Sequence, residues 1–161
     1  MNGIKENSFI NPDMECINLE SNNKIIIAVY RPPGGNKKLF MNKLVSMCNQ
    51  NEKSYFIAGN FNLDVTSKEF DPILDKGIFQ SCNKYTRVTN QSRSIIDNIF
   101  TTSKSTKCYL TPCSISDHFP IILETSTKKV SNKKVIEIKE INIETKENLK
   151  EDSVTVNGTT S

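Results

Sequence analysis

The stretch Tyr55–Asp64 (YFIAGNFNLD) limits what this chain can fold into more than any other. It opens as a short continuous apolar run, Tyr55-Phe56-Ile57-Ala58, reaches Gly59, and turns polar at Asn60-Phe61-Asn62. A run this short without alternation is the pattern of a strand buried on both faces of a sheet. The glycine at its end permits a sharp turn or the close approach of the backbone to a ligand. If the backbone stays extended past Gly59, residues two apart share a face, so Asn60 and Asn62 project together while Phe61 turns into the core. The carboxyl ends of such strands are where α/β sheets carry their sites. The same letters are also ordinary turn chemistry, since Gly-Asn and Asn-Leu-Asp suit tight turns.

The rest of the composition sets the bounds. A chain of 161 residues is one domain, and a small one once its tail is set aside. With 36% hydrophobic and 24% charged residues, no tryptophan and no apolar run of membrane length, the expectation is an intracellular protein of cytoplasm or nucleus with no membrane partner. The start, MNGIKENSFINPD, has neither the basic cluster nor the apolar core of a signal peptide, so secretion is not expected. Five cysteines in no regular pattern suggest free thiols in a reducing compartment, and a single histidine argues against a zinc site. The net charge of +3 is weak support for a polyanionic partner. The three arginines say more: Arg31, Arg87 and Arg93 each lie beside a segment that carries chemistry, and guanidinium groups suit bidentate phosphate contacts.

Along the chain, residues 14–20 (MECINLE) and 24–30 (KIIIAVY) read as strands joined by a tight turn at Ser21-Asn22-Asn23. Arg31-Pro32-Pro33-Gly34-Gly35 then ends regular structure. From Asn36 the period changes: Leu39, Phe40, Leu44, Met47 and Cys48 form one helical stripe, with Asn36 as its cap and Asn49–Asn51 as its exit. A short helix is expected over about 67–76 from the spacing of Phe70, Ile73 and Leu74, with Gly77 to stop it. Three apolar segments follow, Ser94–Thr101, Lys107–Thr111 and Phe119–Glu124, and this order of elements argues for an α/β layered sheet protein. Residues 126–161 interleave lysine and glutamate without an aromatic, which reads as a linker or disordered tail beyond a domain of residues 1–125.

Polar residues punctuate the ends of the apolar segments: Tyr30, Asn60 with Asn62, Asp97 inside SIIDNIF, and Asp117-His118 before FPIIL. A carboxylate among isoleucines needs a partner, and His118 is the obvious one. Such a bond would fix the imidazole tautomer and leave its other nitrogen for a ligand, although a purely structural ion pair explains both residues equally well.

Taken in order, AVYRPPGG, FIAGNFN, Thr86-Arg87 with SIIDNIF, and SISDHFP resemble the endonuclease/exonuclease/phosphatase family. The resemblance is closest to the apurinic-endonuclease-like domain of non-LTR retrotransposons, where the pieces read YRPP, GDFN, IDHIF and SDHFP. It covers about residues 14–125, and the tail resembles the charged connector before a reverse transcriptase. It implies a two-sheet α/β sandwich of DNase I-like type, phosphodiester hydrolysis with Mg²⁺ or Mn²⁺, and DNA as partner. By position, Tyr30 would donate to the scissile phosphate and Asn62 would orient water or a phosphate oxygen. Asp97 would hold His118 against the phosphoryl group, and Asp117 would lie at or near the metal. Two departures stand out. Asn60 replaces the family aspartate, and an amide neither accepts a proton at neutral pH nor brings charge to a cation. The family's N-terminal half, with its asparagine and metal-binding glutamate, has no counterpart here, and Glu15 and Glu20 do not match that glutamate. The expectation is a C-terminal part of the family fold, inactive alone. The alternatives are a nuclease completed by the missing half, a non-catalytic nucleic-acid-binding module, or a decayed remnant.

Overall fold

Two parallel strands joined by a helix form the centre of the protein. In the computed structural model, which describes residues 4–21, 23–48, 52–111 and 113–126, Lys24–Tyr30 (β3) leads through helix Lys37–Met47 (α1) to Ser54–Asn60 (β4), paired with β3 in parallel register. Before them, Lys5–Asn11 (β1) and Met14–Glu20 (β2) make an antiparallel hairpin, with β2 also antiparallel to β3. Beyond β4 come a 3₁₀ turn at Lys68–Phe70, the short helix Asp71–Leu74 (α2), and strands Phe79–Gln80 (β5), Arg87–Val88 (β6), Arg93–Ser94 (β7) and Asp97–Thr101 (β8). Strands Thr106–Leu110 (β9) and Ile121–Thr125 (β10) complete the described order. The main sheet runs β1-β2-β3-β4-β8-β5, while β9–β10 and β6–β7 form separate two-stranded sheets.

Local chemistry explains the boundaries. Asn11 closes the first hairpin by accepting from the backbone N–H groups of Asp13 (2.9 Å) and Met14 (2.8 Å). Asn36 caps α1 as expected, its side chain accepting from Leu39 N at 3.1 Å. Gly77 ends the second helical segment at φ 72°, a left-handed conformation that favours glycine.

The core lies on one face of the main sheet, under α1. Phe40, Met41 and Leu44 of the helix pack with Ile25, Ile27 and Val29 of β3 and Tyr55 and Ile57 of β4. The buried stripe therefore takes in Met41 and leaves Leu39 outward, 55% exposed, where the sequence had placed Leu39 inside. Phe61 is the aromatic hub, edge-on to Phe70 and Phe100 at 5.4 Å each and to Phe40 at 6.2 Å.

The central strand is buried on one face only, contrary to the reading of its unbroken apolar run. Tyr55 and Ile57 are buried, whereas Phe56 and Ala58 are half-buried on the opposite face. That face continues through Ile26, 45% exposed, and Ile17, 48% exposed. The expected tail from residue 126 lies, beyond Ser126, outside the described residues, as does the helix exit at Asn49–Asn51. Among the described residues no helix is long and apolar enough to cross a membrane.

Candidate phosphoester site

Strand directions gather the polar residues at one edge. The parallel strands β3 and β4 end there with Tyr30 and Asn60, and the antiparallel β8 begins there with Asp97. Register puts Glu15 opposite Tyr30, Tyr30 opposite Asn60, and Asn60 opposite Asp97. Directly paired residues share a face, so these four form one polar row on the face away from α1. The next row inward, Ile17, Ala28, Ala58 and Ile99, is apolar and, at its centre, small.

His118 closes the row from the loop before β10. Its Nδ1–H donates to Asp97 Oδ2 at 2.8 Å, so the half-buried carboxylate has the partner its position demands. The other ring nitrogen lies 4.0 Å from Asp117 Oδ1, and the residue borders a cleft of about 510 Å³ lined by Asn60, Asp97, Ile99, Ser116, His118 and Phe119, among others.

Thr86, which sequence reading treated only as part of a motif, organises this corner. It is fully buried, and its hydroxyl oxygen accepts from the N–H groups of Ile96 (3.2 Å) and Asp97 (3.0 Å). Its carbonyl accepts from Phe119 N at 2.7 Å. One residue thereby fixes the backbone on both sides of the Asp97–His118 bond. Asn98, also buried, holds Cys82 by accepting from its N–H (3.1 Å) and donating to its carbonyl (2.7 Å). Neither role has a periodic signature, because each depends on chain partners ten or more residues away.

Asn62 does not follow Asn60 onto the face. Its φ of 45° breaks the extended path, so the expectation that the two asparagines project together fails. The Asn62 backbone N–H instead donates to Asn60 Oδ1 at 2.9 Å, and Asn62 Nδ2 donates to the Arg31 carbonyl at 2.7 Å. Phe61, between them, does turn into the core.

The arginines part ways. Arg31 is 2% exposed, and its guanidinium donates to the carbonyls of Asn62 (3.1 Å) and Gly35 (2.6 Å). It is an internal clamp between two loops and is not free for a nucleic acid, which corrects its reading as a phosphate contact. Arg87 donates to Asp117 Oδ2 at 2.7 Å, and this bond with the guanidinium charge holds the exposed Asp117 carboxyl below its ordinary range. Arg93, exposed on β7, makes no side-chain hydrogen bond or ion pair among the described residues.

These groups do not fit a resident divalent cation. Among the described residues no three His, Cys, Asp or Glu side chains converge. Asp97 and Asp117 are already engaged by His118 and Arg87, and the side-chain oxygen of Asn60 is taken by Asn62 N–H.

No family sequence profile and no curated protein matches the chain. Solved structures do. The endonuclease domain of TRAS1, a telomere-specific non-LTR retrotransposon, is 14% identical with a TM-score of 0.51, the match covering 73% of this chain and 66% of that one. CdtB, the biologically active subunit of cytolethal distending toxin, is 11% identical with a TM-score of 0.53, covering 76% and 56%. An endonuclease/exonuclease/phosphatase family protein from Leptotrichia buccalis is 16% identical with a TM-score of 0.48, covering 79% and 60%. The chain thus spans 56–66% of the length of these structures. At such identities the likeness is one of fold, carried by the TRAS1 and CdtB matches. In fold, the protein is an α/β sheet protein of the DNase I-like type.

Proposed function

We propose that this chain is a phosphoester-binding domain of the retrotransposon-endonuclease kind, directed at the DNA backbone and without strand-cleaving activity of its own. The observation that carries the reading is the Asp97–His118 bond at the end of a row that also holds Tyr30 and Asn60. The amide of Asn60 offers a donor to a phosphate oxygen in the cleft that it lines with the carboxylate-held imidazole, and the phenol of Tyr30 adds a donor beside it in the row.

Inactivity follows from position 60 and from the ligand set. Asn60 cannot take a proton, and loss of a general base typically costs about 10²–10⁴-fold. The described residues do not supply the cation that would stabilise the leaving oxygen. The open face of β2, β3 and β4 supports a further inference about completeness: a second apolar layer, from elsewhere in a longer product or from a partner, belongs on it.

A nicking assay tests the reading. Neither the chain nor its Asn60→Asp variant is expected to nick supercoiled DNA with Mg²⁺ or Mn²⁺, whereas both are expected to bind duplex DNA with an affinity that falls as salt rises. Metal-dependent nicking by the unmodified chain that His118→Ala abolishes would refute the inactive reading. DNA binding indifferent to His118 would favour a general basic surface over this site.

A further inference from the structure

The bond from Asn62 N–H to Asn60 Oδ1 settles which way the Asn60 amide points. A backbone N–H only donates, so the atom facing it is the oxygen, and the NH₂ group is left for the cleft that Asn60 lines. Asn60 Nδ2 has no hydrogen-bond partner among the described residues. Among the described residues the Tyr30 hydroxyl beside it in the row has no hydrogen-bond partner either, and the second nitrogen of His118 lies 4.0 Å from Asp117 Oδ1. Asp117 is bonded to Arg87 and Asp97 to His118 within the protein. The Asn60 NH₂ and the Tyr30 hydroxyl are therefore the donors offered to a ligand, and the second nitrogen of His118 joins them only when the ring is protonated.

Resting on the phosphoester reading above, we infer that this site takes a phosphate group directly, without a bridging divalent cation, and that the Asn60 amide is the donor that makes this so. An aspartate in the same turn would accept from Asn62 N–H with one oxygen and present the other oxygen to the cleft. That would exchange a donor for an anionic acceptor at one point, which repels a phosphate and invites a cation. The Arg31–Asn62 clamp fixes this polarity, because it holds the turn that orients Asn60. Glu15, at the far end of the row beyond Tyr30, confines the phosphate to the His118 end by charge.

Equilibrium dialysis of the full chain against radiolabelled inorganic phosphate in EDTA tests this, paired with a titration of Mn²⁺ alone followed by the spin-resonance signal of the free ion. The parent is expected to bind phosphate saturably in EDTA, with an affinity that added Mg²⁺ does not change. Asn60→Asp, which keeps the turn, is expected to lose at least about tenfold of that affinity and to deplete free Mn²⁺ more than the parent does. Binding by the parent only when Mg²⁺ or Mn²⁺ is added overturns the metal-free inference and leaves the phosphoester reading standing. Equal metal-free binding by parent and Asn60→Asp overturns the role of the amide. No phosphate binding under any condition overturns both readings.

Discussion

Arg31 carries its charge into a space where, among the described residues, no carboxylate pairs with it. Its two Nη groups donate to the Asn62 and Gly35 carbonyls while the buried Nε has no partner among the described residues, and its backbone N–H donates to the Asn60 carbonyl at 3.0 Å. The fork geometry of the donors, as well as the charge, holds the two loops together. Arg31→Met is expected to destabilise the fold by about 2 kcal/mol, the cost of stranding buried carbonyls partly offset by removing a buried charge. Arg31→Lys, which keeps the charge but loses the fork, should do no better, while Arg93→Ala on the exposed β7 should stay within about 0.5 kcal/mol. Urea midpoints of the three variants check this, and full rescue by lysine would show that charge alone matters. At Asp117 the expectation concerns pH. Its folded carboxyl is held below the ordinary range, so the contribution of the Arg87 contact is complete above that range and is lost as pH falls through the lowered value. Carboxyl-carbon NMR should show Asp117 titrating lower in the parent than in Arg87→Gln. No difference between them would mean the contact does not persist in solution.

Among the elements, β4 shows what a linear pattern conveys and what it hides. Its existence, the place of Asn60 at its end and the inward turn of Phe61 are legible from Tyr55–Asp64, whereas the departure of Asn62 from the extended path is not. Its one-sided burial was not, because an apolar run does not say whether a second layer covers it. Gly59 makes the same point. Sequence offered a turn or a ligand approach, but the close neighbour is the adjacent strand: an added Cβ would sit 1.8 Å from the Val29 carbonyl oxygen. Since that obstacle is backbone in a paired strand, no side-chain rotation relieves it. Gly59→Ala is expected to cost about 3 kcal/mol or more and to disturb the β3–β4 register, with loss of amide protection at Val29 and Tyr30 in hydrogen exchange. Unchanged protection would mean the strands separate at little cost. β1 was missed altogether, for an understandable reason: KENSFIN is an edge strand with six of its seven residues exposed, so it has no apolar period to read. The Asn11-Pro12-Asp13 turn was its only signal.

At the scale of the molecule, the two faces of the main sheet are unequal. One is sealed by α1 and the phenylalanine cluster, while the other presents Ile17 and Ile26, each nearly half exposed, around a floor of Ala28 and Ala58. Ile122 on β10 adds a further exposed apolar side chain, 55% exposed, in the FPIILE segment. A contiguous apolar face of this kind on an isolated chain drives self-association and binds hydrophobic dyes. The purified chain is therefore expected to be oligomeric or aggregation-prone and to enhance ANS fluorescence. Replacing Ile17 and Ile26 together by threonine separates an exposed face from a generally loose fold. Both residues lie on strands, where threonine keeps the β-branched shape, and neither belongs to the sealed core. If exposure is the cause, the double variant should shift toward monomer in light scattering and lose most of the dye signal, with its unfolding midpoint within about 1 kcal/mol of the parent. If instead the parent is already a monomer with a sharp melt and no dye binding, the face needs no cover, and the proposal that another layer completes the sandwich fails with it.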